Sequence, residues 1–318
     1  MEWQTPMTRL LKIRYPVMQG ALAVVSDVNL AAAVSEAGGL GMLTAWTQRR
    51  PEKLSQAIRE LRDRTDRPFA VNLSPTMDQG LLKMLDVIID EKVPVVETAG
   101  DRALAYGKRI KAAGLTWIHK VHTVKHAMTA QKDGADAVCI MGLEGAGLKS
   151  PMILTTLVSI AMAAEKITIP VIAAGGIGDA RTFLGALALG ADGVQLGSAF
   201  CLVKECKLPD SRKQVLIKAD PYDPKWRGPI LASPTAADLQ QVQEAEGTKE
   251  IMGAAHRAES FGFPQEAGTG TISLAIGFVN RVVTAKELIK EIMAGAGDIL
   301  TNKGIGGFKL APGTDSGS

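Results

Sequence analysis

The chain has 318 residues, 46% hydrophobic and 22% charged, a balance that excludes a disordered chain and suits either two small domains or one large barrel. Lys and Arg number 36 against 33 Asp and Glu, so the formal net charge of +3 is too even for the basic stripe that grips a nucleic-acid backbone. The three cysteines Cys139, Cys201 and Cys206 form no C-x-x-C pair, the N-terminus lacks a signal-peptide pattern, and no apolar run is long enough to span a bilayer; a cytoplasmic protein without membrane or nucleic-acid partners is expected.

Up to about residue 205, short apolar runs alternate with longer amphipathic ones, the pattern of repeated βα units around a parallel sheet. Strands are expected at 16–19, 40–43, 69–72, 93–97, 116–121, 135–141, 170–174 and 193–196. Helices are expected at 28–36, 52–64, 79–91, 102–112 and 124–132, each ending near a glycine that can serve as a C-cap. Similar helix-to-strand phrases recur around Gly38, Gly114, Gly134 and Gly190. The fold class predicted is α/β: a (β/α)8 TIM barrel over 1–206, with a doubly wound open sheet as the competing layout. Over 207–267 prolines separate charged and helical stretches, which predicts an inserted, mainly helical lid or subdomain over the active-site face, or else a peripheral appendage. Residues 268–318 return to the barrel through an amphipathic stretch at 285–293 and end in a Gly-rich tail expected to fray.

The strongest local chemistry lies at Pro170-Val-Ile-Ala-Ala-Gly-Gly-Ile-Gly-Asp179 and Gly193-Val-Gln-Leu-Gly-Ser198. In each, a buried strand runs into small residues and a helix start, the backbone needed to cradle a phosphate. Barrels often hold phosphate after strands seven and eight, although tight turns alone also call for glycine. Lys120 shares a side of the fifth strand with Ile118 and His122; facing inward it needs an anionic or electron-rich partner, and facing outward it is an ordinary surface lysine. His122, at the strand's carboxyl end, is the candidate general acid or base, and its spacing from His126 lacks the rest of a metal motif, so no metal site is expected. No dinucleotide fingerprint, nucleophile elbow or triad is legible. The cysteines read as packing residues.

With these motifs in order, the chain resembles the FMN-dependent nitronate monooxygenases, once called 2-nitropropane dioxygenases, and the related flavin enoyl-acyl-carrier-protein reductases. The resemblance rests on Pro16-Val-Met-Gln-Gly20, Ala33-Val-Ser-Glu-Ala-Gly-Gly-Leu-Gly41, Ala70-Val-Asn-Leu73, Lys120 with Val124-Lys-His-Ala127, Gly134-Ala-Asp-Ala-Val138, Ala173-Ala-Gly-Gly-Ile177 and Gly190-Ala-Asp-Gly-Val-Gln-Leu-Gly-Ser198. It implies an FMN oxidoreductase in which Gln19, Gly20 and Ala21 line the flavin ring and Asn72 and Lys120 bind its polar edge. The phosphate would sit on Gly175, Gly176, Gly197 and Ser198, with Gly147 and Gln195 completing the implied cofactor set. The sequence departs from the family at Gly142-Leu-Glu-Gly-Ala-Gly-Leu148, where the usual catalytic histidine is replaced by Leu148. Leucine exchanges no proton, so activity on an already deprotonated nitronate is the expected function, with His122 as the candidate replacement. The alternatives are an enoyl thioester reductase (enoyl-ACP or enoyl-CoA) using NAD(P)H, and a noncatalytic flavin-binding protein. The partner expected is a small-molecule substrate, and a homodimer is left open.

Overall fold

The computed structural model describes residues 2–22, 25–48, 50–74, 81–146, 152–223 and 272–303. Gly147, Leu148 and positions 224–267 of the expected insertion lie outside the described residues. The chain opens with α1 (Pro6–Leu11), β1 (Val17–Gln19), α2 (Val28–Glu36), β2 (Gly41–Thr44), α3 (Ala45–Gln48), α4 (Pro51–Arg64), β3 (Phe69–Leu73), α5 (Leu81–Asp90), β4 (Val95–Ala99) and α6 (Leu104–Ala112). It continues through β5 (Thr116–Val121), α7 (Val124–Lys132), β6 (Ala137–Met141), α8 (Thr156–Ala164), β7 (Val171–Ala174), α9 (Ala180–Ala188), β8 (Gly193–Leu196), α10 (Ser198–Cys201), α11 (Asp210–Leu216) and α12 (Ala285–Asp298).

All strand pairs are parallel, in the order β1-β8-β7-β6-β5-β4-β3-β2. Between β1 and β2 the ring is closed by the bridge Met18↔Leu40 and by a side chain. The Gln19 amide receives the Met42 N–H at 3.1 Å and donates to the Met42 carbonyl at 3.0 Å, standing in for a missing stretch of backbone ladder. Its second donor bond goes to Ser26 Oγ at 3.0 Å, so the Gln19 side chain is occupied with barrel closure.

Because both faces of a parallel sheet are covered, the strands are mostly apolar, and alternation sorts their apolar residues into two clusters. Met18, Met42, Ala70, Val95, Ile118, Ala137, Cys139 and Ile172 fill the barrel interior, and Met7, Leu11 and Ile13 close its amino-terminal end. Val17, Leu43, Val71, Val96, Trp117, Val138 and Ala173 face the helices.

Each recurrent helix-to-strand phrase builds the same joint. After α2, α6, α7 and α9, Gly38, Gly114, Gly134 and Gly190 adopt φ between 72° and 101°. Their N–H groups reach back to the carbonyls of Ser35, Lys111, Gln131 and Leu187, and the next residue's N–H bonds one residue further up the helix, a Schellman closure. A left-handed residue at that joint turns the chain from helix into the next strand.

The eighth helix of the ring comes from far along the sequence. α12 packs on α2 and α9, burying Leu288, Ile289, Ile292 and Met293, after a capping box between Thr284 and Glu287 sets its start. The chain segments leading out to 223 and back from 272 are tied to the barrel's carboxyl end. Val203 bridges Val283, Ser273 bonds Ser198, the Leu274 N–H donates to the Glu144 carbonyl, and Pro221 lies against Gly277. No helix among the described residues is long and apolar enough to cross a membrane.

Candidate functional site

At the carboxyl end of the barrel, the interior changes from apolar to polar. Thr44, Asn72, Glu97, Lys120 and Gln195 continue the inward-facing rows begun by Met42, Ala70, Val95 and Ile118, and by Gly193 on β8. The last four form a network across the barrel. Asn72 Nδ2 donates to Glu97 Oε1 at 2.8 Å, and Gln195 Nε2 donates to Glu97 Oε2 at 2.6 Å. Lys120 Nζ donates to Gln195 Oε1 at 2.6 Å, and the Cys139 thiol approaches the same oxygen at 3.5 Å. Burial pushes the Glu97 carboxyl above its ordinary range, while the Lys120 ammonium and the two amide donors pull it back. Burial, against the pull of Lys120 and with a smaller push from Glu97, raises the Cys139 thiol and makes it a poor nucleophile.

This layer floors the mouth and leaves bonding capacity pointing out of the barrel. Thr44 Oγ1 is buried without a hydrogen-bond partner among the described residues, and Asn72 Oδ1 accepts from none of their donors. A lysine ammonium carries three protons, of which the network uses one. Buried polar groups are normally satisfied, so an orphaned hydroxyl beside a free amide carbonyl marks a place where a polar ligand edge belongs. Gly20 extends the β1 ladder to the Leu196 carbonyl, and Ala21 packs against the interior cluster beside this layer.

The loops after β7 and β8 supply the other half. Gly175 and Gly176 have φ of 99° and 71°, a conformation that side chains disfavour. The main-chain N–H groups of Gly176, Ile177 and Gly197 donate to no acceptor among the described residues. Gly197 faces open space, with only Leu22 near the position of an added Cβ, at 3.8 Å. The Ser198 hydroxyl accepts the Ser273 N–H at 2.9 Å and the Ser273 hydroxyl at 3.0 Å, which leaves its own O–H and its main-chain N–H at the start of α10 for an anion. Glu144 lies against this cradle: its Cβ and Cγ come within 3.1 and 3.4 Å of where a Gly176 Cβ would stand, and its carboxylate receives the Thr156 N–H and hydroxyl at 2.8 and 2.9 Å, holding the start of α8.

The sequence-derived residues thus fall into two groups at one end of the barrel, Asn72, Lys120 and Gln195 in the floor and Gly175, Gly176, Gly197 and Ser198 in the loops. Lys120 takes the inward of its two orientations. His122 sits half-buried just beyond β5. His119 faces the opposite way, with Nδ1 at 2.7 Å from Thr98 Oγ1, and burial lowers its pKa to about 4, which makes it a neutral packing residue. Cys201, the last residue of α10, and Cys206, five residues on, are both buried. Glu97 and Thr44 were not singled out from the sequence. The available signal for Glu97 was its parity: an acid two residues after Val95 in an apolar strand must share that residue's inward face.

The family model for nitronate monooxygenase matches residues 4–80 and 76–225. The chain belongs to the nitronate monooxygenase family. Similar curated proteins include the (3aS,4S,5R,7aS)-5-hydroxy-7a-methyl-1-oxo-octahydro-1H-indene-4-carboxyl-CoA dehydrogenase of Rhodococcus jostii (strain RHA1), 37% identical over 210 residues, which cover 66% of this chain and 58% of that protein. The dehydrogenase of the same name from Mycobacterium tuberculosis is 36% identical over 69% of this chain and 61% of its own length, so the match spans about three fifths of these two relatives. A nitronate monooxygenase of Pseudomonas aeruginosa is 31% identical over 66% of this chain and 72% of its own. Among solved structures, FabK from Thermotoga maritima superposes with a TM-score of 0.76 at 31% identity, covering 93% of this chain and 97% of that one. A nitroalkane oxidase from Streptomyces ansochromogenes gives 0.71 at 25% identity, covering 93% and 99%.

Proposed function

We propose that the barrel mouth binds FMN and that the chain is an FMN-dependent oxidoreductase of the nitronate monooxygenase type, oxidising a nitronate or a related small organic substrate. The observation that carries this reading is the pairing of an unsatisfied polar floor, at Thr44, Asn72 and Lys120, with unsatisfied main-chain N–H groups at Gly176 and Gly197. The residues present fit the group. Gly175, Gly176, Gly197 and Ser198 would hold its phosphate, and Asn72, Lys120 and Gln195 the polar edge of its ring. The main chain of Gly20 and Ala21, positioned by Gln19, would lie along the ring, with Gly147 closing the set. The chemistry FMN supplies when bound is uptake of two electrons from the substrate and their return to an acceptor such as oxygen.

Lys120 would bring a positive charge to the polar edge of the group and favour the negative charge that its reduction brings. Leu148 can neither take nor give a proton, so the substrate that suits this site arrives as the anion. His122, beyond the end of β5, is the candidate to move a proton in its place. The free cysteines agree with a reducing, cytoplasmic setting.

A second reading, an NAD(P)H-dependent reductase of an enoyl thioester on CoA or acyl carrier protein, is favoured by one finding, the similarity to two proteins named as carboxyl-CoA dehydrogenases. Anaerobic mixing of the purified, flavin-loaded chain with propyl-2-nitronate, NADH or NADPH separates the two. The leading reading expects nitronate to bleach the flavin absorption and air to restore it. Bleaching by a nicotinamide alone, with reoxidation by an enoyl thioester, establishes the second reading. A flavin that none of them reduces contradicts both.

A further inference from the structure

Glu97 is completely buried, and each of its carboxylate oxygens accepts one amide N–H, from Asn72 on β3 and from Gln195 on β8. An amide side chain has nearly the same shape either way round, so its partners decide which end faces out. An ionised carboxylate only accepts, and it therefore holds the NH2 ends of both amides. The carbonyl ends are then turned away from it. That of Gln195 receives Lys120 Nζ, while that of Asn72 is left without a donor among the described residues. The outward face of the floor consequently reads as an acceptor, Asn72 Oδ1, with a donor, Lys120, held through Gln195. The pyrimidine edge of a flavin offers the complement, an N–H between two carbonyls.

On the reading that this mouth binds FMN, we propose that Glu97 is the positioning residue for the flavin's pyrimidine edge, fixing the polarity of Asn72 and Gln195 and placing a negative charge behind the ring that opposes its reduction. Lys120, partly exposed and joined to Glu97 through Gln195, favours the carboxylate form, so the potential of the bound flavin depends on both. A neutral amide at position 97 accepts through one end only and donates through the other. Gln195 stays in place because Lys120 grips its carbonyl. Asn72 is therefore the amide that turns over, setting an N–H against the flavin's own N–H.

The test compares FMN affinity and the midpoint potential of bound FMN in wild type, Glu97→Gln, Asn72→Ala and the double variant, with melting temperature as the check on folding. Glu97→Met, which keeps the volume and removes every acceptor, serves as the second variant at the same position. Both Glu97 variants are expected to bind FMN about tenfold more weakly and to shift the bound flavin about tenfold toward its reduced form, about +30 mV for a two-electron couple. Asn72→Ala is expected to lose similar affinity with little change in potential. Adding Glu97→Gln to Asn72→Ala should cost no further affinity, because the residue acts through that amide. Wild-type affinity and potential in the Glu97 variants, or independent additive losses in the double variant, overturn the positioning role while leaving the FMN reading intact. A wild-type chain that binds no FMN overturns the reading itself.

Discussion

Removing the Lys120 ammonium tests the polar floor at the level of one residue. Lys120→Met keeps the aliphatic stem but removes the charged donor 2.6 Å from the Gln195 carbonyl, leaving it only the weak Cys139 thiol at 3.5 Å. Hydrogen bonds to charged groups contribute about 1.5–3 kcal/mol, so FMN affinity should fall by roughly tenfold to a hundredfold, measured by fluorescence titration; unchanged affinity would remove Lys120 from the site. His119, on the other side of the same strand, carries a pH prediction. Its folded pKa of about 4 lies below its ordinary 6.5, so the unfolded chain binds the extra proton first. Stability is therefore highest above pH 6.5 and falls as the pH drops toward 4, by on the order of 3 kcal/mol from this group. Urea unfolding of His119→Gln should show a flatter decline over that window than wild type, and parallel declines would mean that His119 is not buried neutral. The placement of Lys120 and the glycine loops at the barrel's carboxyl end was legible in the sequence because they stand in local strand-end motifs, whereas Asn72 came only from the family resemblance. Glu97 was less conspicuous because its role depends on Gln195, 98 residues away, and no local pattern joins them.

The repeated joint between helix and strand made the elements legible. The expected strands 116–121 and 193–196 and the helices 28–36 and 124–132 coincide with β5, β8, α2 and α7, since each is bounded by a cap and a turn glycine. Where the glycines mislead, the boundary moves. The expected 285–293 helix runs on to Asp298 as α12, because Ala296 is buried and Gly295 lies against Ala180 of α9, so packing carries the helix through residues that favour a stop. The joint after α5 repeats the Schellman bonds, from Lys92 to Ile89 and from Val93 to Ile88, but uses an exposed lysine at φ 49°. A non-glycine residue there costs about 1–2 kcal/mol, and glycine returns about 0.5–1 kcal/mol of that through its freer unfolded chain. Lys92→Gly should stabilise the protein by roughly 0.5–1 kcal/mol in chemical unfolding, and a loss of stability would show that the lysine makes a compensating contact.

For the whole molecule, the barrel depends on a helix that follows β8 only after a long excursion of the chain. Ile289 of α12 is fully buried, whereas Glu291 is exposed and paired with Arg281 at 2.7 Å. Ile289→Ala should cost about 2–5 kcal/mol and Glu291→Ala no more than about 1 kcal/mol. Equal effects in unfolding experiments would argue against α12 as the closing helix. The same excursion brings Ser273 onto Ser198 and the Leu274 N–H onto Glu144, so closure of the ring and the shape of the loops after β6 and β8 are set together. The most direct measurement is the crystal structure of the chain soaked with FMN. The account predicts one FMN per chain, its phosphate on the main-chain N–H groups of Gly176, Gly197 and Ser198 and its pyrimidine edge on Asn72 Oδ1 and Lys120 Nζ. A flavin bound elsewhere, or bound here with its phosphate away from those loops, would contradict it.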